Sequence, residues 1–143
     1  MASRYNEYAK LQKIVAQDMA EWIVAHSQNK QKAAFDIGAG TGFLAQSLPN
    51  WNITQLDIAW GMCQQAQPYG RVINADMHQL PIKADAAQTI ISSLTWQWSD
   101  NPDQLVQEIA RIMAPDGEVM GAIPVTKSLH LLKEVIGSNR FKK

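Results

Sequence analysis

The sequence predicts an α/β fold, a Rossmann-like doubly wound parallel sheet of about five strands, and three observations carry that expectation. Short apolar runs alternate with helical patterns five times, the order in which strand and crossover helix follow one another in parallel sheets. The first run, Ala33–Ile37, passes directly into the turn Gly38-Ala39-Gly40-Thr41-Gly42 and then into a helical stretch. Three successive strands end in an acid, Asp36, Asp57 and Asp76. Parallel pairing gathers such ends along one sheet edge, where open α/β folds bind their ligands.

Taken in order, the chain opens with Leu11, Ile14, Val15, Met19, Trp22 and Ile23 at helical spacing, which predicts one apolar face on a helix over about 8–26. Tyr5 and Tyr8 precede that stripe and either pack or cover a ligand. The strand Ala33–Ile37 is short and apolar, as a strand buried on both faces is. A helix over 41–48 stops at Pro49-Asn50, and a strand over 51–56 ends at Asp57, which serves a ribose diol, caps a helix over 59–67, or does both. Pro68-Tyr69-Gly70 breaks that helix before a third strand over 71–75. Met77 beyond it lies on a purine face or packs in its loop.

The fourth strand covers 89–93, and Leu94-Thr95-Trp96-Gln97-Trp98 after it either shapes a substrate site or fills the core. Asn101-Pro102-Asp103 supplies a cap, a first-position proline and an early acid for a helix with Leu105, Ile109 and Ile112 on its buried side. Pro115-Asp116-Gly117 turns the chain into a fifth strand over 118–123. A terminal helix over about 128–136 closes at Gly137. The whole, residues 1–143, is one domain with a binding core over about 33–124.

Composition narrows the function. Hydrophobic residues make up 46% and charged residues 18% of 143, and thirteen basic residues balance thirteen acidic ones. No net field recommends nucleic acid or an anionic membrane as partner. The single Cys63 excludes an internal disulfide and a cysteine metal cluster. His26, His78 and His130 are scattered without metal-ligand spacing, and only His78 falls near the strand-end acids. No run has the length of a membrane span or a secretory signal, so a cytoplasmic location is the default expectation.

The glycine turn admits more than one ligand. Glycines there accept positive φ and let a ligand touch the backbone, and the N–H groups opening the helix are expected to donate to it. Gly40-Thr41-Gly42-Phe43-Leu44-Ala45 fits the dinucleotide fingerprint, with Asp57 near the place of the ribose-binding acid. Asp36 argues against a pyrophosphate, whose charge would add to its own, and suits a ligand carrying a positive group. A turn with no ligand is the third reading.

The order acid-x-Gly-x-Gly-x-Gly at 36–42 resembles motif I of the class I S-adenosylmethionine (SAM) dependent methyltransferases. Leu56-Asp57-Ile58, Asn74-Ala75-Asp76-Met77, Leu80-Pro81 and Ala114-Pro115-Asp116-Gly117 resemble that family's later motifs. Within the family, Ser93-Leu94-Thr95-Trp96-Gln97-Trp98, the leader Tyr5-Asn6-Glu7-Tyr8-Ala9-Lys10-Leu11-Gln12 and Ser138-Asn139-Arg140-Phe141 are similar to the malonyl-acyl carrier protein carboxyl methyltransferases of biotin synthesis.

The resemblance implies that Asp36 with Gly38, Gly40 and Gly42 holds the aminocarboxypropyl end of SAM. It gives the ribose to Asp57 beside Ile58, the adenine to Asp76 and Met77, and the neighbourhood of the methyl group to Ser93 and Leu94. S-adenosylhomocysteine is then the product. A carboxylate acceptor is ionised near neutral pH and needs no general base. No residue is therefore singled out as catalytic, and Tyr5, Trp96, Gln97 and Trp98 are the candidates for positioning the acceptor and excluding water. The implied partner is an acyl carrier protein thioester. Lys133, Arg140, Lys142 and Lys143 either face that acidic partner or are solvated. Methylation of another small acceptor, or cofactor binding by a non-catalytic fragment, are the alternatives, and a nicotinamide-dependent oxidoreductase is disfavoured by Asp36. Against the family pattern the chain reads as shortened at both ends and lacking the last two strands of the sheet. The fifth strand is then an exposed edge, which offers a route to a dimer.

Overall fold

A computed structural model describes residues 2–125, with side chains from residue 7 onward. The helix expected over 128–136, the basic residues from Lys133 to Lys143 and the side chain of Tyr5 lie outside them. The elements are α1 (Ala2–His26), β1 (Ala33–Ile37), α2 (Phe43–Gln46), β2 (Asn52–Asp57), α3 (Trp60–Ala66), β3 (Arg71–Asn74), β4 (Ala87–Ser93), α4 (Pro102–Ile112) and β5 (Met113–Ala122). Short 3-10 turns cover Gln67–Tyr69 and Trp96–Trp98.

The five strands pair in parallel in the order β3-β2-β1-β4-β5. The chain winds outward from β1 to β3, then crosses back to β4, so β1 and β4 lie side by side with their following loops diverging. That reversal is the switch point at which such sheets open a crevice. Alternation along β1 sends Ala34 and Asp36 to one face and Phe35 and Ile37 to the other. On the first face Ala34, Ile53 and Ile91 pack with Ala16, Met19, Ala20 and Ile23 of α1 and Leu44, Ala45 and Leu48 around α2. On the second, Ile37, Leu56 and Ile90 pack with Leu80, Ile82 and Leu105, Ile109 and Ile112 of α4.

The buried stripe of α1 differs from the expected one. Ile14 and Trp22 are exposed, and Ala16 and Ala20 take their places beside Met19 and Ile23. Their small side chains let the helix axis approach the sheet, which the bulk of Ile14 and Trp22 would prevent.

Most element ends shift by a residue or two, as ends do; α1 starts earlier than expected, at Ala2 rather than about residue 8, and β5 starts at Met113 rather than 118. Its ladder opens with Met113 opposite Ala87 and resumes with Glu118 opposite Thr89. The turn expected at Pro115-Asp116-Gly117 is thus a bulge inside a longer strand, because Pro115 has no N–H to donate to a ladder. Glu118 beyond the bulge ties three elements together: its carboxylate accepts from Ser27 Oγ, from Gln28 N at 3.1 Å and from Thr89 Oγ1 at 3.0 Å. Burial opposes its charge, but these donors outweigh burial and hold the carboxyl below its ordinary range.

α4 begins as its sequence predicts. Asn101 Oδ1 accepts from Gln104 N at 3.2 Å, and Pro102 occupies the first turn. Its polar side then straps down the β3–β4 connection: Gln104 Nε2 donates to His78 O at 2.9 Å, Glu108 accepts from Leu80 N at 2.7 Å, and Arg111 donates to Leu80 O at 3.0 Å and Ile82 O at 2.8 Å.

Candidate functional site

At the switch point a cleft of about 50 Å³ is lined by Asp36, Gly38, Ala39, Gly40, Thr41, Phe43 and Leu44 from the β1 side, Ser93 from the end of β4 and Thr95 from the loop after it, and Gln12 and Ala16 from α1. The glycine turn is built by steric necessity. Gly38, Gly40 and Gly42 have φ of 77°, 59° and 92°, conformations costly for any residue with a Cβ. A Cβ on Gly38 would also come within 2.0 Å of Thr95 Cγ2, whereas one on Gly40 would meet nothing within 4 Å. The turn is clamped behind by Thr95, whose hydroxyl donates to Gly38 O at 2.8 Å, and open in front.

Four N–H groups of the glycine turn bond within the fold. Gly38 N and Ala39 N donate to Leu56 O at 2.8 and 3.0 Å, Gly42 N donates to Ala39 O at 3.1 Å, and Gly40 N donates to Asp57 Oδ2 at 2.9 Å. Four of the turn's amides are thus taken up by neighbouring backbone and by Asp57, which leaves fewer for a pyrophosphate, and Asp36 in the same cleft adds a charge that a pyrophosphate would oppose.

What the cleft offers instead is negative charge. Asp36 is 1% exposed, and neither carboxylate oxygen has a hydrogen-bond partner among the described residues. Burial, with the charge of Asp57 added, pushes its carboxyl up to about 7. A buried acceptor pair without donors costs free energy in any fold unless a ligand supplies the donors. The donor this pocket fits is an ammonium, which brings both N–H groups and the opposite charge.

Asp57 is held by both flanking loops, with Oδ2 on Gly40 N and Oδ1 on Ala59 N at 2.8 Å. The helix cap of α3 is Ala59 rather than Asp57, so the carboxylate faces along the edge with one lone pair on each oxygen still available. Asp76 stands beyond β3, the next strand along the same edge, and its Oδ1 accepts from His78 N at 2.8 Å and from the His78 ring at 2.7 Å. These donors hold its carboxyl below the ordinary range. Ile58 is 69% exposed beside Asp57, an apolar surface at the rim. Met77 packs against the core under α4, which is the loop-packing alternative.

Ser93 reaches the cleft, but Leu94, buried and at φ 52°, is drawn back by a hydrogen bond from its N–H to Ala122 O at 2.8 Å. The cleft's lining also leaves out Trp96, Gln97 and Trp98. The 3-10 turn folds this segment back on itself: Trp96 packs against the α4-side core, and Gln97 Nε2 donates to Leu94 O at 2.6 Å. Gln12 and Ala16 of α1 and Phe43 and Leu44 of α2 are cleft residues that sequence reasoning did not single out, whereas Thr95 belongs to the segment read as shaping a substrate site or filling the core. A larger hollow of about 270 Å³ between the end of α1 and Trp51 lies at the strands' opening edge, away from the acids, and none of the buried unpartnered atoms belongs to it.

Comparison with known proteins agrees with this geometry. A family model described as a methyltransferase domain matches residues 35–121. The chain is 34% identical over 134 residues to the biotin biosynthesis bifunctional protein BioHC of Teredinibacter turnerae, covering 81% of this chain and 24% of that protein. It is 30% identical over 142 residues to the malonyl-[acyl-carrier protein] O-methyltransferase of Halorhodospira halophila, covering 92% of this chain and 48% of that protein. The chain thus spans less than half the length of these curated relatives. A crystal structure from Methanococcus maripaludis superposes with TM-score 0.75 at 20% identity over 91% of this chain and 68% of that one. A SAM-dependent methyltransferase from Thermotoga maritima superposes with TM-score 0.65 at 24% identity over 80% and 56%. Among the described residues no helix is long and apolar enough to cross a membrane.

Proposed function

The chain belongs to the methyltransferase domain family, and from that premise we propose that it binds SAM at the switch-point cleft and transfers its methyl group to the free carboxyl of a malonyl thioester carried on acyl carrier protein. One observation carries the cofactor half of this reading: the buried carboxylate of Asp36, without a hydrogen-bond partner among the described residues, lines the cleft beside the glycine turn. The acceptor half is supported by the names of the relatives, at moderate identity.

When bound, SAM supplies a methyl group on a sulfonium, an electrophile that needs no metal and no covalent enzyme intermediate. The residues' task is to hold and shield. Asp36 receives the ammonium, and Gly40 keeps the space in front of the turn open for the chain that bears it. Asp57 offers its remaining lone pairs to a diol, and Asp76 with Ile58 receives the purine. Ser93 borders the region where an acceptor approaches, and Thr95 keeps the turn from yielding. A carboxylate acceptor arrives ionised, so rate comes from alignment and from exclusion of water.

The test is calorimetry with S-adenosylhomocysteine, followed by a transfer assay from labelled SAM to malonyl-acyl carrier protein. Asp57→Ala is expected to weaken binding about tenfold or more, the loss of a charge-assisted hydrogen-bond pair. Full affinity in that variant rejects the ribose assignment. Binding without transfer to the malonyl thioester removes the acceptor assignment and leaves the cofactor site standing.

A further inference from the structure

Around Asp76 the side chains form an array of which the methyl-transfer reading uses Asp76 alone. Asp76 Oδ1 receives two N–H donors from one residue, the backbone of His78 at 2.8 Å and its ring Nδ1 at 2.7 Å, while the carboxylate as a whole is 46% exposed. Oδ2 has no donor among the described residues. The imidazole is only 14% exposed; its Nε2 lies 2.7 Å from Ser99 Oγ and 3.5 Å from Asp100 Oδ1. Ser99 Oγ in turn accepts from Asn101 N at 3.2 Å, at the start of α4.

Nδ1 faces a carboxylate oxygen that only accepts, so it carries a proton and directs it at Asp76. Ser99 Oγ, with one proton and two lone pairs, meets Nε2 as donor or as acceptor. Aspartate, imidazole and hydroxyl stand in the sequence of an acyl-transfer triad, yet the hydroxyl is tied to the α4 cap. The array therefore braces the loop after β3 against the loop after β4.

We propose that His78 is a positioning residue for base recognition, holding Oδ1 of Asp76 so that Oδ2 faces an exocyclic amine on the cofactor's purine. The inference rests on the reading above that Asp76 takes the adenine end. Without the ring, one backbone N–H alone holds a half-exposed carboxylate whose terminal torsion is broad, and either oxygen is more readily presented. With Oδ1 doubly occupied, the remaining acceptor has one orientation. A 6-amino purine donates to it, and a 6-oxo purine presents an acceptor to an acceptor.

The experiment compares binding of S-adenosylhomocysteine with that of S-inosylhomocysteine, its 6-oxo counterpart, by calorimetry on the wild-type chain, His78→Ala and His78→Asn. The wild type is expected to prefer the amino purine about tenfold or more. His78→Ala loses most of that preference through weaker binding of the amino ligand, with the 6-oxo ligand unchanged. His78→Asn, whose amide N–H reaches the same oxygen, restores much of it. A His78→Ala protein that keeps the wild-type preference, or that loses affinity for both ligands equally as a merely unsteady fold does, overturns the proposal. A wild type that binds both ligands equally removes the adenine assignment of Asp76 and the role of His78 with it. A wild type that binds neither ligand removes the cofactor reading itself.

Discussion

Asp36 sits beneath the glycine turn with both oxygens unpartnered, so ionising it in the free protein forfeits hydration that no neighbouring donor replaces. Its folded-state carboxyl is raised to about 7, whereas an unfolded aspartate titrates near about 4. The native state therefore binds the extra proton. The contribution of Asp36 to stability is greatest below the unfolded value and falls as pH rises from about 4 to about 7, by an amount on the order of a few kcal/mol. Asp36→Asn is expected to flatten that fall when urea denaturation is compared at pH 5 and pH 8, leaving the ligand-free variant the more stable protein at pH 8. The same variant should bind S-adenosylhomocysteine at least about tenfold more weakly. A residue retained for structure alone would lose stability on replacement and leave binding untouched. In the wild type, binding below pH 7 should expel a proton, readable as a dependence of calorimetric heat on the buffer's ionisation enthalpy.

Among the elements, β5 and the exit of α1 depend on each other through Glu118. Its carboxylate gathers donors from Ser27, Gln28 and Thr89, and Thr89 also accepts from Asn29 Nδ2 at 3.0 Å. Glu118→Ala leaves those donors without their acceptor and should cost about 1–3 kcal/mol in denaturant titration. The folded carboxyl is depressed, so the stabilisation is present above the ordinary glutamate range and disappears as pH falls through the lowered folded value. In Glu118→Ala that acid-side loss should be smaller. Little of this was legible in the sequence, where Glu118 reads only as the opening residue of a strand. The partners of such a residue are set by register across β4 and by a helix end some ninety positions away, and local pattern carries neither.

For the molecule as a whole, a ligand present at about a hundred times its dissociation constant stabilises by roughly 2.7 kcal/mol. S-adenosylhomocysteine at that level should therefore raise the Tm by roughly 8 °C. ATP at the same concentration should leave the Tm unchanged, because its phosphates would add negative charge beside Asp36 and Asp57; an equal shift with ATP would show that the cleft accepts phosphates. The parallel sheet was readable beforehand, as were the acids at the ends of its first three strands, since the alternation of apolar runs and those acids are local properties of the chain. The direction of Trp96, Gln97 and Trp98 was not, because a tight turn decides whether adjacent residues face a crevice or a core. The brace from Asp76 through His78 to Ser99 was equally hidden, joining residues about twenty positions apart through side-chain geometry alone. The methyl of Thr95, wedged where Gly38 lacks a side chain, makes the two crossovers one mechanical unit. Whatever docks beside Ser93 and nudges that threonine also alters the seat of the other guest, and linkage makes the influence mutual: each occupant changes the other's affinity by the same factor, whichever arrives first.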